Sequence, residues 1–132
     1  MVNIMRRIIS TDNAPKPVGP YSQAVIATDF LFISGQIGVD PSTSKLVPGG
    51  IVEETKRCLE NVRAILKRAN IGMEDVVKTT IFMTDMSYFK EVNEAYASYF
   101  SAEGPARSTI GVASLPMGAK IEIEVVAYRQ RS

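Results

Sequence analysis

Apolar residues recur at every second position in several short stretches of this chain, and at every third or fourth in two longer ones. Residues 6–10, 21–27 and 30–34 are rich in β-formers, and Thr28-Asp29 between the last two suggests a hairpin. The stretch "NAPKPVGP" (residues 13–20) reads as a loop whose prolines fix backbone angles. Gly35 and the following "GVDPSTSK" end the third strand and form another loop. From Ile51 to Ala69 the spacing turns helical: Val52, Thr55, Leu59, Val62, Leu66 and Ala69 share one face, and Asn70-Ile71-Gly72 supplies the stop. Residues 76–84 ("VVKTTIFMT") are strand-like by β-branching. Asp85 or Ser87 is placed to cap a second helix reaching Phe100, with Phe89, Val92, Tyr96 and Tyr99 as its apolar stripe. Residues 108–113 and 120–129 then read as a second hairpin across "SLPMG".

The predicted order is β-β-β-α-β-α-β-β, an α+β layout with two helices on one face of a six-stranded mixed sheet. In the last strand, Ile121, Ile123 and Val125 lie on one side, and Glu122, Glu124, Val126 and Tyr128 on the other. That second side is neither wholly polar nor wholly apolar, which places it at the edge of something buried, a cleft or another chain. Two helices leave the opposite face of such a sheet uncovered although its strands carry apolar residues there. An oligomer that buries this face is the economical expectation.

Composition narrows the chemistry. The 132 residues suit a single domain, 1–132, and the apolar content of 45% is ordinary for a globular protein. No apolar run approaches the ~20 residues of a membrane-spanning helix. Residues 1–13 lack the pattern of a secretory signal. A cytosolic location is the default, with a short mitochondrial address as the alternative. Fifteen basic and fourteen acidic residues give a net charge of +1, and the basic pairs Lys56-Arg57 and Lys67-Arg68 are interleaved with Glu53, Glu54 and Glu60. Glu53 and Arg57 have salt-bridge spacing on a helix. No general affinity for nucleic acid follows. There is no His and a single Cys, which removes His-based triads, Cys-His dyads and nearly all zinc sites. Cys58 falls on the helical stripe and reads as a buried structural thiol. Catalysis here must draw on carboxylates, Arg, hydroxyls, Tyr and backbone groups.

Five stretches, "NAPKPVGPYSQA", "FISGQIGVDP", "TIFMTDMSYFKEVNEAY", "PARSTIGVASLP" and "KIEIE", occur in an order that resembles the RidA/YjgF family of imine deaminases, a group also labelled endoribonuclease L-PSP and translation inhibitor. The resemblance covers nearly the whole chain. It implies a chorismate-mutase-like homotrimer with a central barrel, helices outside and clefts between subunits. It also implies cofactor-independent hydrolysis of 2-imino or enamino acids, such as 2-iminobutanoate and 2-iminopropanoate, to 2-keto acids and ammonia. By the same resemblance Arg107 binds the substrate carboxylate, Glu122 positions or activates the water, and Tyr21, Ser34, Gly35 and Asn93 line the cleft. Where many relatives carry Cys, this chain has Thr109, so a thiol-dependent step is impossible there and its pocket is narrower by a methyl group.

The residue types suit those roles. A planar guanidinium holds a carboxylate bidentately, and no acidic residue lies within three positions of Arg107. A carboxyl group can both protonate an imine nitrogen and activate water. Ser34, Gly35 and Thr109 offer hydroxyl and amide groups for orientation. The structural alternative for Arg107 is an ion pair with Glu122 or Glu124 across a subunit contact. The alternative functions are an endoribonuclease or translation inhibitor, which would use Glu122 and Arg107 on phosphate, and a ligand-binding or chaperone-like module without turnover.

Overall fold

The computed structural model describes residues 6–130. The first five residues of the amino-terminal stretch weighed above as a targeting signal lie outside that range. The elements are β1 (Arg6–Ile9), β2 (Ala24–Ala27), β3 (Phe30–Ile37), β4 (Val39–Asp40), β5 (Lys45–Leu46), α1 (Ile51–Arg68), β6 (Val76–Met83), α2 (Phe89–Ala97), β7 (Ala106–Gly111) and β8 (Ile121–Tyr128). Six strands form one mixed sheet in the order β1-β2-β3-β8-β6-β7, all antiparallel except β6 with β7. The α+β layout read from the sequence is therefore present. Helix α1 packs on β3 and β8, and α2 packs on α1.

Helix α1 begins with Glu53 and Glu54 in its first turn and ends with Lys67 and Arg68 in its last, each charge complementing the helix dipole. Asn70, at φ 60°, carries the chain out through the left-handed region. The buried stripe contains Thr55, Cys58, Leu59, Val62, Ile65 and Leu66. They meet Ile33, Ile81, Ile121, Ile123 and Val125 from the sheet in one core. Cys58 is fully buried, and burial pushes its thiol pKa well up, as a structural thiol requires. Glu54 is only 3% exposed; it accepts from the backbone N–H of Lys120 at 2.9 Å, with the Lys120 ammonium 3.8 Å away, and so ties α1 to the start of β8. Arg57 does not pair with Glu53: its Nε donates to Asn61 Oδ1, while Glu53 lies 3.7 Å from Lys56.

The expected hairpin of residues 108–113 with 120–129 does not form. β8 lies between β3 and β6, and β7 pairs in parallel with the far side of β6 at the sheet edge. A short connection with turn residues favours a hairpin locally. Placing β8 centrally instead buries Ile121, Ile123, Val125 and Ala127 against the helices, all at 2% exposure or less. The intervening segment crosses over through Pro116, Met117 at φ 59° and Gly118 at φ 71°. Three smaller differences follow from tertiary packing. β3 runs past Gly35 to Ile37 through an irregularity between Ile33 and Gln36, the small β4–β5 pair was not foreseen, and α2 stops at Ala97. Asp85 does cap, accepting from Ser87 N–H at 2.9 Å in a short 3₁₀ turn before α2.

The face opposite the helices is bare in the single chain. Ile8, Phe30, Phe32, Ile110 and Tyr128 are each about 40–55% exposed there, beside Glu122 and Glu124.

Candidate functional site

Arg107 sits in β7 beside Thr79 of β6. Neighbours in register share a face, and Thr79 is fully buried under α2, bonded at 2.8 Å to the Tyr96 hydroxyl. Arg107 therefore points to the helix side. Its Nη2 donates to Asn93 Oδ1 at 2.6 Å and its Nε to Thr109 Oγ1 at 3.1 Å. The guanidinium carbon lies 4.9 Å from the Tyr96 ring centre and 5.5 Å from that of Phe89. Cation–π contact and two hydrogen bonds fix its plane. Among the described residues no carboxylate forms an ion pair with it. A cleft lined by Asn93, Tyr96, Phe100, Pro105 and Arg107 opens beside it.

Glu122 lies elsewhere. It is opposite Phe82 in β6 and Ile37 in β3, on the bare face. Its side chain runs across Gly35, where a Cβ would fall 2.7 Å from the Glu122 carboxyl carbon. Glycine is thus required at position 35 for the carboxylate to lie there. Partial burial raises the Glu122 pKa above the ordinary glutamate range, and the charge of Glu124 adds to the rise.

Tyr21 lies on this second side, half exposed, its hydroxyl accepting weakly from Val18 N–H at 3.4 Å. It borders a cavity of about 420 Å³ with Gly35, Gln36, Val39 and Met117, and a shallower one with Ser34, Phe32 and Glu124. The Ser34 hydroxyl donates to the carbonyl of Ser22 at 2.6 Å, so it first serves to bind β3 to the loop before β2.

The expected site residues thus form two groups. Arg107, Asn93 and Thr109 meet on the helix side of the edge strand; Glu122, Gly35, Tyr21 and Ser34 gather on or beside the bare face. Sequence reasoning missed three residues that shape them. The sequence places Tyr96 and Phe89 on the apolar stripe of the helix; aromatics two helical turns apart, near a strand whose arginine has no local acidic partner, were the available signal. Gln23 is 3% exposed and uses its whole amide on the loop before it: it accepts from Thr11 N–H at 2.7 Å and donates to the carbonyls of Thr11, Ala14 and Pro15.

The family model described as endoribonuclease L-PSP matches residues 11–129. A mouse protein named 2-iminobutanoate/2-iminopropanoate deaminase is 50% identical over 129 residues, 98% of this chain and 96% of that one. A crystal structure titled as a putative endoribonuclease of Thermotoga maritima superposes with TM-score 0.91 at 50% identity, covering 95% of this chain and 98% of that chain. A structure of E. coli TdcF with bound serine gives TM-score 0.90 at 40% identity, covering 94% and 99%.

Proposed function

This chain belongs to the endoribonuclease L-PSP family, the RidA/YjgF group, and from that membership we propose that it is an enzyme hydrolysing reactive 2-imino acids to 2-keto acids and ammonia. Identity of about half over nearly the full length to a deaminase of 2-iminobutanoate and 2-iminopropanoate supports that substrate class. The word endoribonuclease is the family's name, and a net charge of +1 supplies no basic track for RNA.

The observation that carries the reading is Arg107, a guanidinium held in plane by Asn93, Thr109 and two rings and without a carboxylate partner among the described residues. Such a group is arranged to receive a small carboxylate. We read Glu122 as the proton-transfer residue. Its raised pKa keeps more of the acid form near neutrality. The acid donates its proton to the imine nitrogen, and the resulting carboxylate accepts one from the water attacking the imine carbon. Return of that proton to nitrogen breaks the C–N bond of the tetrahedral intermediate while the Glu122 carboxylate takes the proton of its hydroxyl, so that ammonia leaves, the keto acid remains and the acid form is restored.

Arg107 and Glu122 cannot converge within one chain, because they leave the sheet on opposite faces. We therefore propose a homotrimer in which the Arg107 edge of one subunit meets the Glu122–Gly35–Tyr21 side of the next, and in which the bare apolar face becomes a central barrel. Each 132-residue chain would contribute as a single domain. No further cofactor is needed for the reaction as written.

The test is decay of 2-iminobutanoate, generated by a threonine dehydratase and trapped with semicarbazide. Wild-type protein is expected to accelerate loss of the imine, and Arg107→Ala to abolish the effect. A folded oligomer that leaves the decay rate unchanged sinks the deaminase reading.

A further inference from the structure

We propose that Thr109 is a positioning residue for Arg107, its hydroxyl holding Nε so that a substrate carboxylate is taken end-on, by Nη1 and Nη2. The inference rests on the reading of Arg107 as a carboxylate anchor and deepens it.

Residues 107 and 109 share a face of β7, two positions apart, so their side chains run side by side along an edge strand. A guanidinium offers a carboxylate two bidentate edges, Nε with Nη2 and Nη1 with Nη2. The 3.1 Å bond to Thr109 Oγ1 occupies Nε and so closes the first edge. Asn93 Oδ1, at 2.6 Å, takes one proton of Nη2. Nη1 has no partner among the described residues, so both of its protons and one of Nη2 remain for a ligand. The rings of Tyr96 and Phe89 keep the plane from turning, and Tyr96 is itself fixed by its bond to Thr79. Of these restraints only Thr109 engages Nε, so it is the one that closes the Nε edge to a ligand. A methyl in place of the hydroxyl keeps the shape and removes the acceptor. The guanidinium is then free to present either edge, and part of the binding free energy goes into ordering it.

The experiment uses the intact protein labelled with ¹⁵N and observes the Arg107 Nε–H signal, assigned by its loss in Arg107→Lys. In wild type this proton is expected to exchange slowly with water. On titration with 2-oxobutanoate its shift should hold while the Nη signals move. Thr109→Val should expose Nε–H to fast exchange and weaken 2-oxobutanoate about tenfold, the scale of a hydrogen bond to a charged group, without lowering Tm. Thr109→Ser should restore both properties. Thr109→Ala removes the same acceptor and replaces the valine if that variant fails to fold. The proposal is overturned if Thr109→Val keeps both the protected Nε–H and the wild-type affinity, if serine behaves like valine, or if the keto acid displaces the Nε signal in wild type. Wild type that binds no 2-oxobutanoate overturns the carboxylate reading instead, while the exchange of Nε–H still decides whether Thr109 holds the arginine.

Discussion

Arg107 and Glu122 project from opposite faces of the same sheet: Arg107 is in register with buried Thr79, and Glu122 with Phe82 on the bare side. Two strand spacings and three residues separate them, roughly 14 Å between Cα atoms. An arginine side chain does not bridge that distance through the plane of a sheet. If both act on one molecule, they come from two copies.

Mixed oligomers test this directly. Arg107→Ala and Glu122→Gln are each expected to lack deaminase activity. Refolded together in equal amounts, they should form some sites with an intact arginine from one subunit and an intact glutamate from its neighbour. Random assembly into cyclic trimers restores about a quarter of wild-type activity. A mixture as inactive as its components would show that both residues serve a site within one chain or that one of them serves none.

Gly35→Ala should damage the site more than the fold. The added methyl meets the Glu122 carboxyl group, whose far end can swing away on a half-buried surface. Deaminase kcat/KM is expected to fall by at least about tenfold, which is near 1.4 kcal/mol of transition-state stabilisation, with Tm little changed. Kinetics and melting on one preparation check it, and unaltered kcat/KM would remove Glu122 from the mechanism.

The raised pKa of Glu122 gives a signed dependence of stability on pH. Burial, and then Glu124, make the folded chain hold this proton more tightly than the unfolded chain. Between the ordinary glutamate pKa and the raised one, the folded state binds more protons, so stability falls as pH rises through that window and remains lower above it. Glu122→Gln does not titrate. Its stability advantage over wild type should therefore open from about pH 4 upward and level off once the pH exceeds the raised pKa. Denaturant midpoints across that range are the measurement, and parallel curves would contradict the shift.

Phe32, 47% exposed, lies opposite Val126 on the bare face. Phe32→Glu adds a charge to a surface proposed to be buried between subunits, where an unpaired carboxylate is costly. Sedimentation should show subunits in place of a trimer, with deaminase activity lost. A stable trimer with this substitution would place the interface elsewhere.

Gln23→Leu tests the loop that carries Tyr21. Removing an amide with four buried or half-buried backbone bonds leaves those groups unpaired and should cost about 2–3 kcal/mol of stability. Urea denaturation reads the loss; an unchanged midpoint would mean that water replaces the amide freely.

Much of this was legible in the chain itself. The period of two in "IEIEVVAY" separates Ile121, Ile123 and Val125 from Glu122 and Glu124, and those two sets do lie on opposite faces of β8. The three-and-four spacing of Val52 to Leu66 specifies α1, and a sequence without His leaves the chemistry to carboxylates, Arg, hydroxyls, Tyr and backbone groups. These are local or compositional properties, carried by neighbouring residues through backbone sterics and burial. Strand order is different. That β8 lies in the centre and β7 at the edge depends on which distant apolar faces bury one another, and the short "SLPMG" link argued for the opposite. The tertiary structure alone thereby decided that Arg107 shares the helix side with Asn93, Tyr96 and Thr109 while Glu122 lies across the sheet on Gly35. A strand's own alternation shows which residues share a face; only its pairing with other strands shows which face meets which neighbour.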